Sequence, residues 1–210
     1  MKNRIVIPAS IAALLLAAPS LAQAHHAEFM RDKPLLQGLS MPIHGLDHMF
    51  VTIAVGLIAA QLTGRARWIV PGVFTLAILL GGMLNIFGIP VPLAEQAILA
   101  SIAIFGALLA WKSRVPVLLT VGMVGLFAVF HGTALIANDG YIFNFPVFIA
   151  GCLVSALALQ AAGFGAGLLM KHATQAPIHR YAGFALIALA VIVGLFPAAN
   201  NVVINLIETR

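Results

Sequence analysis

The chain has 210 residues, 62% of them hydrophobic and 8% charged, with a mean hydropathy of +1.07 and a formal net charge of +5. A soluble domain carries about 25% charged residues, so this composition excludes a water-covered globule and points to an integral membrane protein. The positive balance reads as cytoplasmic loop charge rather than a nucleic-acid surface, and the single cysteine, Cys152, excludes an intrachain disulfide and a cysteine-based zinc site.

Residues 1–24 have the layout of a cleaved secretory signal peptide. Lys2 and Arg4 form a basic start, Ile5 to Ala18 is apolar, and Ala22 and Ala24 give the small-x-small pattern before the cut. An uncleaved first membrane helix is the other reading. Cleavage after Ala24 would make His25 and His26 the new N-terminus, outside the membrane. Residues 25–40 then form a short periplasmic segment, and 41–210 a transmembrane domain.

Six apolar segments follow, at 41–62, 68–87, 94–111, 115–137, 145–170 and 181–197. A span needs about 20 residues, so the expected fold is all-α: a six-transmembrane-helix bundle after a cleaved signal peptide. The fifth segment is long enough to tilt or bend. Lys and Arg favour the cytoplasmic side. Arg65 and Arg67, Lys112 and Arg114, and Lys171 and Arg180 follow segments one, three and five, whereas "GIPVPLAE" and "NDGYIFNFP" carry no Lys or Arg. This agrees with signal cleavage and expects a multi-pass protein of the bacterial inner membrane with both mature termini periplasmic. Trp68, Trp111 and Tyr181 would mark the inner interface and Tyr141 the outer one. Gly163 and Gly167 form a small-xxx-small pair that lets helices approach closely. There is no phosphate-binding loop and hence no nucleotide partner.

The first span opens with "PIHGLDHMF". On one continuous helix, His44 and His48 are i and i+4 and Asp47 is i+3, so all three would share a face within about one turn. Pro42 suits a helix start, and Gly45 leaves room beside the cluster. Ionisable residues in spans face the bundle interior and pair with one another. The fourth span supplies His131 in "VFHGTALIAND". At 1.5 Å per residue, His48 and His131 both lie roughly 9 Å below the outer surface. Imidazole plus carboxylate suits a divalent first-row metal. A polar knot or a proton relay could use the same residues. His25, His26 and Asp139 are further candidates at the outer mouth.

Here the sequence resembles the HupE/UreJ family of hydrogenase- and urease-accessory nickel permeases. The family's first motif is similar to His-Pro-x-x-Gly-x-Asp-His before an apolar "AVG". Pro42, Gly45, Asp47, His48 and Ala54–Gly56 match it. The second resembles Phe-His-Gly-x-Ala-His-Gly-x-Glu, and Phe130, His131, Gly132 and Ala134 match. The departures are Met41 and Leu135 where the family has histidine, and Asn138, beside Asp139, where it has an acid; His44 occupies a position that is usually small. The resemblance covers the whole mature chain. It implies a secondary permease, not an enzyme, importing nickel or cobalt through His44, Asp47, His48 and His131. No cofactor is permanently bound; Ni²⁺ or Co²⁺ is the transported ion, and the partners are that ion and the bilayer. The alternatives are a non-transporting accessory or metal-sensing membrane protein and a membrane metalloenzyme. Six acidic residues in the whole chain argue against the last.

Overall fold

The structure is a computed structural model that describes residues 32–111, 115–136, 144–173 and 178–195. The signal segment, His25, His26, Asp139 and Tyr141 lie outside the described residues. Within these there are seven helices and no strand: α1 Pro34–His44, α2 Leu46–Gln61, α3 Ala66–Ile86, α4 Ala94–Trp111, α5 Val117–Leu135, α6 Phe145–Ala173 and α7 Ile178–Leu195.

Four helices, α3 to α6, are long and apolar enough to cross a membrane. The pair α1 and α2 makes a fifth if the two are counted as one broken span, and α7 is a shorter apolar helix. The protein is thus a multi-pass membrane protein whose exterior carries large apolar side chains, among them Leu76, Leu118, Leu169 and Leu195. The 29 residues of α6 extend about 43 Å at 1.5 Å per residue, which lets one helix back both α1 and α2.

The first apolar segment is not the single helix its periodicity suggests. It breaks at Gly45, and the two halves are bent by 83°. Pro42 lies in the last turn of α1, where its missing N–H weakens the helix. Gly45 is extended, at φ −108° and ψ 133°. Asp47 Oδ1 accepts the His48 N–H at 2.8 Å, so the side chain serves a backbone donor that has no partner in a first helical turn. The helix start expected at Pro42 therefore falls four residues later, at Leu46.

Four close helix pairs make the bundle, each seated on glycine; in the first, α1 with α6, Gly38 meets the Phe148 carbonyl and Gly151 the Leu35 carbonyl. α2 runs parallel to α6, with Gly56 against the Gln160 carbonyl and Gly163 against the Ile53 carbonyl. α3 runs parallel to α5, with Gly81 on the Val129 carbonyl and Gly132 on the Ile78 carbonyl. α4 and α7 are antiparallel through Gly106 and Gly183. Gly167 meets Ala60, so the Gly163 and Gly167 pair is a packing feature, as its spacing suggests. α2 lies innermost: Val51, Ala54, Val55, Ile58 and Ala59 are fully buried. Arg65, Arg67, Trp68, Trp111, Lys171 and Tyr181 gather at the end where α2 and α4 finish, and His44, His48 and His131 lie toward the opposite end.

Candidate functional site

The site begins where α2 begins. Asp47 is buried and His48 half-buried in its first turn. A Cβ at Gly45 would run into the Asp47 carboxylate. What glycine admits here is thus Asp47's own side chain, not a neighbouring helix. Thr52 Oγ1 donates to the His48 carbonyl at 2.7 Å and completes the turn.

His131 comes from α5, 83 residues later, and its Nδ1 lies 2.6 Å from His48 Nδ1. The rings meet edge to face, with centroids 4.8 Å apart and planes at 72°. His131 is 1% exposed. Its Nε2 lies 2.8 Å from Ser101 Oγ on α4, and Ser101 Oγ donates to the Ile98 carbonyl at 2.6 Å. Phe74 of α3 packs on the far side, with its ring centroid 6.5 Å from that of His131. Four helices therefore meet at one imidazole pair. The contact across α2 and α5 agrees with the shared depth of His48 and His131, although the residue count behind that depth does not hold, since α2 starts only two residues before His48.

His44 does not share the face expected of it. It is the last residue of α1 and half-buried, separated from Asp47 and His48 by the extended Gly45 and the 83° bend. The i, i+4 argument holds only along a continuous helix, and Pro42 with Gly45 interrupts this one. Among the described residues, no three His, Cys, Asp or Glu side chains converge as closely as a metal ion requires.

Beside His48 a cleft of about 520 Å³ opens between α2, α4, α5 and α7. Asp47, His48, Glu95 and Gln96 supply its polar lining, with Ile98 and Ala134 among the apolar groups. Glu95, Gln96 and Ser101 were not singled out by sequence reasoning. For Ser101 a signal existed: it is the one polar residue between Ala97 and Trp111. For Glu95 there was none, because a glutamate in the first turn of a helix is ordinary.

The matches to known proteins agree with one another. The family described as "HupE / UreJ protein" matches residues 12–193. Protein HupE of Rhizobium leguminosarum bv. viciae is 36% identical over 184 residues, which cover 85% of this chain and 94% of that protein. No solved structure matches.

Proposed function

The chain belongs to the HupE / UreJ family, and from that premise we propose that it is a secondary permease carrying a divalent transition metal, nickel first and cobalt second, into a bacterial cell. The observation that carries this reading is the contact between His48 and His131, which joins the two motif-bearing helices inside the membrane domain. Buried imidazoles with an adjacent carboxylate suit a borderline divalent ion. They are costly to keep in a membrane without a functional reason.

The broken pair α1 and α2 counts as one span in this reading and α7 as the sixth. The basic end of the bundle faces the cytoplasm, as Lys and Arg prefer. His44, His48 and His131 then lie toward the periplasm, where an ion leaves water. A signal peptide over 1–24 and periplasmic termini complete the topology. A divalent cation moving inward gains about 2.3 kcal/mol per charge per 100 mV of potential, which drives entry without a nucleotide. The site must bind with moderate strength, since a site that holds its ion too well does not release it. Chemistry on a substrate plays no part, so the protein is not an enzyme.

The decisive experiment is cellular nickel and cobalt content by mass spectrometry, in cells expressing the wild type, His48→Ala or no transporter. Accumulation that depends on His48 is the expected result. If neither metal rises while the protein is verified in the membrane, the permease reading fails. The remaining role is then a non-transporting accessory or metal-sensing one, which Met41 and Leu135 in place of the family's histidines favour.

A further inference from the structure

The helices fall into three units. Among the described residues, every contact between a glycine and the backbone carbonyl of another helix joins α1 or α2 to α6, α3 to α5, or α4 to α7. The seam between α1/α2/α6 and α3/α5 is crossed instead by side-chain hydrogen bonds. His48 meets His131 beside the cleft, and Gln160 of α6 meets Thr75 of α3 further in. Gly56 seats on the Gln160 carbonyl. It follows His48 by eight residues in α2, so the second bond lies about 12 Å below the first at 1.5 Å per residue. Trp68 of α3 faces Phe164 of α6 across the same seam, with ring centroids 5.6 Å apart.

Below the cleft the bundle is shut: Val51, Val55 and Ile58 of α2 are fully buried. An ion that has reached His48 goes no further until a seam parts. Parting a glycine-seated pair would forfeit backbone contact along two helices. Parting α3 from α6 breaks a bond of 3.1 Å that is only half of what its amide can make. Thr75 Oγ1 donates its one proton to the Pro71 carbonyl at 3.0 Å, so it must accept from Gln160 Nε2. Gln160 Oε1 is left without a donor, although Gln160 is 3% exposed. An unpaired amide oxygen inside a membrane bundle is costly. A leucine at 160 would close the seam without that cost.

We propose that Gln160 and Thr75 form the inner gate of the permease. Their hydrogen bond closes the seam in this structure. When α1, α2 and α6 tilt as one unit away from α3 and α5, water reaches Gln160 Oε1 and donates to it, which offsets the lost bond. The closed and open states then lie close in free energy, as a gate needs. The inference rests on the permease reading for what passes the gate, not for the seam itself.

The test uses the full chain in lipid nanodiscs with Phe164→Cys as a reporter on the seam. The rate at which a water-soluble thiol reagent modifies it reads how often the seam opens, and buried Cys152 adds little background. Thr75→Val leaves the Gln160 amide unpaired at both ends in the closed state. Modification should speed up about fivefold, the worth of one neutral hydrogen bond. Gln160→Leu leaves no unpaired group and seals the seam. Modification should slow, the thermal midpoint should hold or rise, and metal accumulation in cells should be lost. A bond that merely holds the fold together predicts the opposite for Gln160→Leu: faster modification and a lower midpoint, as in Thr75→Val. That result overturns the gate. Wild-type accumulation in Gln160→Leu overturns it too and leaves the permease reading standing. Opposite shifts in the two variants of a protein that does not raise cellular metal support Gln160 control of the seam and overturn the permease reading.

Discussion

At the scale of single residues, the energetics centre on His131. It is buried, and each ring nitrogen faces a polar atom within 2.8 Å. Removing it leaves Ser101 and His48 facing a gap; a buried polar group without its partner costs about 1–3 kcal/mol. His131→Ala should therefore lower the thermal midpoint in detergent as well as abolish metal accumulation, with the protein still inserted. His48→Ala sits at the half-buried cleft wall and should abolish accumulation with a smaller loss of stability. Normal accumulation by both variants would remove the imidazole pair from the function. Gly45→Ala is a subtler probe. The added methyl would displace the Asp47 carboxylate, so metal uptake should fall while expression and membrane insertion hold. Uptake equal to wild type would mean that the Asp47 position does not matter.

At the scale of elements, helix contact here is backbone contact. Gly132 sits on the Ile78 carbonyl and Gly81 on the Val129 carbonyl, so α3 and α5 touch with no side chain between them. Close approach of this kind replaces the hydrophobic effect, which cannot drive helices together in lipid. Gly132→Ala forces the pair apart one residue from His131; overpacking of this sort costs about 1–3 kcal/mol. Gly122 is on the same helix with nothing within 4 Å of an added methyl, and there alanine gains about 0.5–1 kcal/mol from helix propensity. The two variants should thus move the thermal midpoint in opposite directions. The same direction for both would mean that the α3–α5 contact does not limit stability. The break at Gly45 belongs to this scale as well. A continuous helix through 41–62 would put His44 over His48, and the bend of 83° separates them.

At the scale of the whole molecule, the helix order places the basic loops at one end of the bundle and the histidine cleft toward the other. Orientation then follows from a labelling experiment. Arg65→Cys should resist a membrane-impermeant thiol reagent in intact spheroplasts and react once the membrane is opened. Cys152 is 2% exposed, so the natural thiol adds little background. Labelling in intact spheroplasts would reverse the topology and put the cleft on the cytoplasmic side. Collapsing the membrane potential should likewise slow metal entry, because that potential is the driving force in the proposed mechanism.

Much of this was legible in the chain, and for a definite reason. Membrane helices must be long, apolar and internally hydrogen-bonded. Five of the six segments accordingly appear as helices close to their expected bounds, and Gly163 and Gly167 as packing residues. The pairing of His48 with His131 was legible too, since a costly polar residue in one span needs a partner in another. What the chain could not disclose depends on three-dimensional contact. That the first segment folds as two helices depends on Pro42, Gly45 and the Asp47 carboxylate acting together, and apolar content is blind to such a break. That Ser101 faces His131 and Glu95 lines the cleft beside His48 depends on how α4 is rotated against α2 and α5. Lipid-facing and interior positions on α4 are almost equally apolar, so Ser101 alone hints at that rotation and nothing in the sequence places Glu95. The sequence by itself determined a helical membrane protein with a histidine inside each of two apolar segments. Only the tertiary structure decided which hydroxyl backs the histidine pair and which carboxylates share its cleft, because those are properties of packed faces rather than of any one helix.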